Sequence, residues 1–296
     1  MSIPCVRTPD DRFAGLPDFD YEPRYFETSA GLRVAYLDEG PADAPPVWFM
    51  HGEPTWSFLW RKVFPAVRDA GFRCIVPDMA GFGRSDKPTD FDWYSYDAHT
   101  AVMAELLEHL DLTGATMVVH DWGGPVGLRL AVDHASRIDR MVVLDTGLFT
   151  GHQKMSDAWS AFRDFVERTE DLPIGMLVGG ACLTPPSPEV LAAYEAPFPD
   201  ATFKQGTRAF PLMIPLTPES KGAEAGQRVL AALKDDDRPI LVLWADKDPI
   251  INLDTGRKFA AALGAPEPVV IEDASHFLQE DQGGTIGGHI AAWLTA

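Results

Sequence analysis

Seven short apolar runs punctuate the chain, at 32–37, 47–51, 73–77, 115–120, 141–145, 240–245 and 267–271, each of strand length. Between several of them the apolar positions recur instead at helical spacing, as at 98–110, 125–133 and 256–263. Strands that alternate with helices predict an α/β architecture, a mostly parallel sheet covered by helices on both faces. The order is βαβ-like from residue 47 to 145 and then breaks, because roughly ninety residues separate Asp145 from the next apolar run, far more than an ordinary connection needs. The stretch 147–236 carries helical patterns at 157–167 and 188–194, interrupted by prolines. It reads as an inserted helical cap over the carboxyl edge of the sheet, where open α/β sheets place their ligands. The expected division is thus a core of 1–146 and 237–296 and a cap of 147–236.

Four segments converge on that edge. The run at 115–120 leads through His120 into Asp121-Trp122-Gly123-Gly124-Pro125, a strand-to-helix elbow in which serine is the usual tip residue. Here the tip is Asp121, a carboxylate already ionised at pH 7, which can attack carbon without a base to deprotonate it. By itself an aspartate before two glycines also fits a plain turn or a helix N-cap. The run at 47–51 opens into His51-Gly52-Glu53-Pro54-Thr55-Trp56, a loop whose main-chain N–H at Glu53 could join that of Trp122 as an oxyanion hole. His276, in Ala274-Ser275-His276-Phe277 after the last run, stands where the chain order nucleophile, acid, histidine puts the general base. Asp246 and Asp248, in Trp244-Ala245-Asp246-Lys247-Asp248-Pro249, compete with Asp145 for the carboxylate that orients it.

Composition narrows the classes. A chain of 296 residues with 46% hydrophobic content can bury a large core, and its formal net charge of −19 argues against polyanionic partners such as nucleic acid or an anionic membrane. The opening Met1-Ser2-Ile3-Pro4 lacks the apolar run of a signal peptide, and no stretch of about eighteen apolar residues offers a membrane span. A cytoplasmic protein is the expectation. Cys5, Cys74 and Cys182 show neither metal-ligand nor CxxC spacing, so free thiols and no metal site are expected.

The linked segments resemble the haloalkane dehalogenases of the α/β-hydrolase superfamily. The likeness covers nearly the whole chain and rests on His51 to Trp56, Pro77-Asp78, Gly81 to Pro88, Asp121 to Gly124, Tyr194-Glu195-Ala196-Pro197-Phe198-Pro199-Asp200 and His276 to Asp281. It is nearest to the subgroup whose acid follows the later strand. The resemblance implies an α/β-hydrolase fold with an inserted helical cap. It also implies Asp121 as nucleophile, His276 as base, Asp248 as acid with Asp246 its rival, and the main chain of Glu53 and Trp122 as oxyanion hole. Trp122 is implied to be a halide-binding indole. A second halide donor comes in that family from a Trp-x-x-Phe segment before Leu-Pro, which implies Trp159, with Phe162 as a pocket wall. No cofactor is implied. The implied reaction takes a small apolar halogenated substrate and water to alcohol, halide and a proton through an alkyl ester on Asp121. An epoxide hydrolase shares parts of the pattern but uses two cap tyrosines, and 147–236 contains one, Tyr194. Fluoroacetate-type enzymes place arginines after the nucleophile, where this chain has Trp122 and Pro125, with Arg129 further on. A non-catalytic binding protein on the same fold is the alternative from a different class.

Overall fold

The apolar runs become the strands of one eight-stranded sheet. The computed structural model describes residues 3–296, so Met1 and Ser2, part of the opening stretch without a signal-like run, lie outside the described residues. In chain order the first elements are β1 (Cys5–Val6), β2 (Arg24–Glu27), β3 (Arg33–Glu39), β4 (Pro46–Met50), α1 (Phe64–Asp69), β5 (Arg73–Pro77), β6 (Lys87–Pro88) and α2 (Tyr96–His109). Then come β7 (Ala115–His120), α3 (Gly123–Asp133), β8 (Ile138–Leu144), α4 (Asp157–Arg168), α5 (Ile174–Ala181), α6 (Pro188–Glu195), α7 (Gln205–Met213) and α8 (Ala223–Lys234). The chain closes with β9 (Ile240–Ala245), α9 (Leu253–Ala262), β10 (Val269–Ile271) and α10 (Leu278–Thr295).

The sheet runs β10-β9-β8-β7-β4-β5-β3-β2, and β1 pairs with β6 as a separate two-stranded ribbon. From β10 to β5 every pairing is parallel, while β3 joins β5 antiparallel and β2 joins β3 antiparallel. Every residue of β7 is buried, as are Val47 to Met50 of β4 and Met141 to Leu144 of β8. Strands covered on both faces have no polar side to alternate, which is why they read as unbroken apolar runs. Helix α3 lies along β4, β7 and β8 with α2 and α8 against it, and α1 packs with α10 beside β5, β9 and β10.

The order has one consequence for function. After β5 the chain returns past β4 to form β7 on its other side, so connections leave the neighbouring strands β4 and β7 in diverging directions. A crevice at the carboxyl ends of two such strands is where this class of sheet binds ligands. Between β8 and β9 the described residues form five helices, α4 to α8, and no strand of the sheet. Helix α4 packs on α7, and α8 returns to α3.

Candidate active site

Apart from Trp159, each residue singled out for chemistry stands at the carboxyl end of a parallel strand: Glu53 after β4, Asp121 after β7, Asp145 after β8, Asp248 after β9 and His276 after β10. Asp121 takes a left-handed backbone at φ +47°, a conformation that costs energy for any residue with a side chain and therefore needs support. Its N–H donates to the Asp145 carbonyl at 3.3 Å, and its carbonyl accepts from the Thr146 hydroxyl at 2.5 Å and from Gly124 N–H at 2.9 Å. The glycines around it answer to close approach. A Cβ on Gly52 would strike the Asp121 side chain, one on Gly123 the Met50 carbonyl, and one on Gly124 the Thr146 hydroxyl.

The elbow presents the carboxylate to three groups. Oδ1 accepts from Glu53 N–H at 2.7 Å, the main-chain N–H of Trp122 also bears on it, and Oδ2 lies 3.7 Å from His276 Nε2. That last distance is long for a direct hydrogen bond. On its far side His276 Nδ1 meets Asp248 Oδ2 at 2.8 Å, and Asp248 Oδ1 accepts from Ile250 and Ile251 N–H at 2.6 and 3.0 Å. His120 donates Nε2–H to the His276 carbonyl at 2.9 Å, a neutral ring whose pKa burial pushes down to about 3, with the charge on His276 adding to the effect. Asp246 faces elsewhere, accepting from Ala274 N–H at 3.1 Å and pairing with Lys247. Of the three carboxylates that competed in the sequence, Asp248 is the one bonded to the histidine.

Burial and charge act in opposite directions on these groups. Burial alone would push the Asp121 and Asp248 carboxyls up, but the nearby His276, bonded to Asp248, holds both below the ordinary value. Burial alone would lower His276, yet the Asp248 charge and the facing Asp121 carboxylate hold it well above. Two further carboxyls go the other way. Burial raises Glu53 well above the carboxylate range and the Asp121 charge adds to it, while burial and then Asp248 do the same to Asp145. The site thus favours a charged histidine between two charged carboxylates, and favours the uncharged form of the two neighbouring carboxyls. The Glu53 side chain, which sequence reasoning passed over in favour of its main chain, leaves Oε1 buried without a partner.

Trp122 is 3% exposed and its ring packs at 5.0 Å on Phe149 and 4.9 Å on Phe210 of α7. Trp159 sits in the first turn of α4, which Ser156 caps by accepting its N–H, and α4 lies on α7. Phe162 packs half-buried against the same apolar cluster. Tyr194 is committed elsewhere, its hydroxyl donating to Glu280 at 2.5 Å, and Arg129 pairs with Asp97 and Asp133. The three cysteines are free, and among the described residues no group of three or more His, Cys, Asp or Glu is arranged to hold a metal ion.

Fold and elbow together define an α/β hydrolase, and the family model described as alpha/beta hydrolase fold matches residues 45–282. Haloalkane dehalogenase from Mycolicibacterium paratuberculosis is 39% identical over 98% of both chains. Among solved structures, the haloalkane dehalogenase DpaA from Paraglaciecola agarilytica superposes with a TM-score of 0.90 at 34% identity, covering 99% of each chain. The chain belongs to the haloalkane dehalogenases. A relative of another name, a cis-3-alkyl-4-alkyloxetan-2-one decarboxylase from Xanthomonas campestris, is 31% identical over 94% of this chain and 97% of its own.

Proposed function

We propose that this protein hydrolyses the carbon–halogen bond of small apolar haloalkanes, releasing alcohol, halide and a proton, with residues 147–236 serving as the cap that shapes the substrate site. The observation that carries the reading is an ionised carboxylate at the tip of the elbow, held by two main-chain N–H groups and a histidine–aspartate pair, beside a buried indole. Among the other buried indoles Trp48 bonds Met50, Trp56 bonds Ala193 and Trp244 bonds Ile251, while the Trp60 N–H is buried without a partner among the described residues. Trp122 and Trp159 have no protein acceptor among the described residues, which leaves both N–H groups for a departing halide. Three unpaired cysteines fit a reducing, cytoplasmic setting.

In the first step an oxygen of Asp121 bonds to the sp³ carbon, the carbon–halogen bond breaks, and halide leaves toward Trp122 and Trp159. The product is a neutral ester, which changes the electrostatics of the site. One of the two carboxylates that kept His276 protonated has lost its charge, so the imidazolium can release its proton and serve as a base. Asp248 keeps the ring oriented. His276 then takes a proton from water, whose oxygen attacks the ester carbonyl of Asp121, while the N–H groups of Glu53 and Trp122 hold the oxyanion until alcohol leaves. Tyr194, the one tyrosine of 147–236, is fixed to Glu280, which removes it from the acid role an epoxide hydrolase needs.

A turnover panel of a bromoalkane, a chloroalkane, an epoxide, fluoroacetate and a 3,4-dialkyl oxetan-2-one tests the assignment. Halide release from the bromoalkane and chloroalkane is expected. Conversion of the epoxide or the oxetanone, with no halide released from either haloalkane, would overturn it.

A further inference from the structure

The two residues that flank the base are both tied to the chain that joins α5 to α6. Phe277 N–H donates directly to the Ala181 carbonyl at 3.3 Å. Ser275 N–H donates to Asp281 Oδ2 at 3.0 Å, and the same carboxylate accepts Leu183 N–H on Oδ2 at 2.9 Å and Thr184 N–H on Oδ1 at 3.1 Å. Asp281 thus gathers three main-chain N–H groups, two from the α5–α6 connection and one from the loop that carries His276. The acid loop and β7 hold the same loop from the other side. Ala274 N–H donates to Asp246 Oδ1 at 3.1 Å, Lys247 N–H to the Ala274 carbonyl at 3.0 Å and His120 to the His276 carbonyl at 2.9 Å. Asp281 also differs from its neighbour Glu280, which is buried and bonded to side chains. It is only half-buried, and Leu183 and Thr184 are exposed. Water can replace bonds in that setting, so they add little to stability, and what they fix is position.

We propose that Asp281 is a positioning residue for the hydrolytic step, a clamp that registers the His276 loop against the α5–α6 connection of the cap. The proposal rests on the Asp121–His276 reading above. Displacement of halide by Asp121 does not use His276. Hydrolysis does, because Nε2 must come within hydrogen-bond reach of the attacking water, and a misplacement of about 1 Å can cost on the order of 10²-fold. Nε2 stands 3.7 Å from Asp121 Oδ2, a separation set by where residues 274–277 rest. Freeing that loop on its cap side therefore slows the second step and spares the first.

Four proteins test this: the parent, Asp281→Ala, Asp281→Asn and Thr184→Pro, which removes one donor from the cap side and leaves the carboxylate intact. Each is mixed with a bromoalkane and quenched at intervals, and the ester on Asp121 is followed by intact mass. Steady-state halide release gives kcat and KM, and thermal melts check folding. Asp281→Ala should form its ester at close to the parent's rate and clear it at least about tenfold more slowly. Slower clearance of an ester that forms as before lowers kcat and KM together and leaves kcat/KM near the parent's, a split that general loosening of the fold would not produce. Thr184→Pro should show the same split to a smaller extent, as should Asp281→Asn, whose amide oxygen can keep two of the three bonds. Ester clearance at the parent's rate in Asp281→Ala overturns the proposal, and so does equal slowing of formation and clearance. If Asp281→Ala does not fold, the same readings on Asp281→Asn and Thr184→Pro decide. No ester in any of the four proteins, with halide still released, sinks the Asp121 nucleophile and this proposal with it.

Discussion

Two buried charged clusters lie four residues apart along the chain, one centred on His276 and the other on Glu280, and they are built on opposite principles. At Glu280 every acceptor position is filled. Oε1 accepts from Arg61 at 2.5 Å and from the Tyr194 hydroxyl at 2.5 Å, and Oε2 accepts from Arg61 and Lys62, each at 2.9 Å. The carboxylate lies below its ordinary pKa because these bonds overcome its burial, and the cluster ties α6 and the start of α10 to the segment before α1. Around His276 capacity is left over: Glu53 Oε1, Asp145 Oδ2 and His120 Nδ1 have no partners among the described residues, and burial raises two carboxyls well above their ordinary pKa. Buried charges normally require full pairing, so the unmet groups mark the cluster that exchanges protons and charge. The Glu280 cluster, where Arg61 Nε alone of the bridging groups lacks a partner among the described residues, is a fastening.

That contrast can be broken from either side. The largest effect is expected from Asp121→Ala, which should lower turnover of a bromoalkane by more than ~10³-fold while the melting temperature stays put or rises, since the change relieves a left-handed side-chain position and an ion pair that burial opposes. Steady-state halide release and a thermal melt read both halves. Glu280→Ala should do the reverse. It leaves Arg61 charged in a fully buried setting, so stability should fall by about 3–5 kcal/mol by denaturant titration, whereas kcat of the folded protein should change far less than for Asp121→Ala. A Glu280→Ala protein that melts like the parent would show the strut to be ornamental.

The smallest effect separates the clusters by pH. His276 is held above its ordinary value, so the stability it brings is complete below that ordinary value and is lost as pH climbs through the raised one. Glu280 is held below its ordinary value, so its contribution is present above that value and is lost as pH falls through the lowered one. Unfolding free energy against pH should lose part of its alkaline slope in His276→Phe and part of its acid slope in Glu280→Ala. Parallel curves for both variants would contradict the assignment of these charges.

Much of this arrangement was legible in the chain because strands buried on both faces announce themselves. The runs 73–77, 115–120 and 240–245 coincide with β5, β7 and β9, and their carboxyl ends carry the elbow and the acid loop. What escaped was either too short and polar or disguised by glycine. Strand β2 reads Arg24-Tyr25-Phe26-Glu27 and is largely exposed at the sheet edge, with no apolar period to betray it. Helix α10 contains Gly283, Gly284, Gly287 and Gly288, a composition that disfavours helix. The structure gives the reason for two of them: a Cβ on Gly283 would meet the Lys62 side chain and one on Gly287 the Val63 carbonyl, so α10 packs directly on the backbone before α1. Part of the family-like pattern proved to be scaffold. Asp78 accepts the N–H groups of Ser57 and Arg84, and buried Lys87 donates to the carbonyls of Gly83 and Ser85. The raised pKa of Glu53 and Asp145 had no sequence signal at all, because it arises from burial and neighbours that only the fold brings together.

Intact-mass analysis of His276→Phe after exposure to a bromoalkane reaches the central claim most directly. The account predicts a protein heavier by one alkyl group in place of a proton, the added mass on the peptide that contains Asp121, formed with one equivalent of halide and stable on standing. An unmodified protein, or an adduct on any other residue, would contradict it, provided the parent enzyme releases halide from the same bromoalkane.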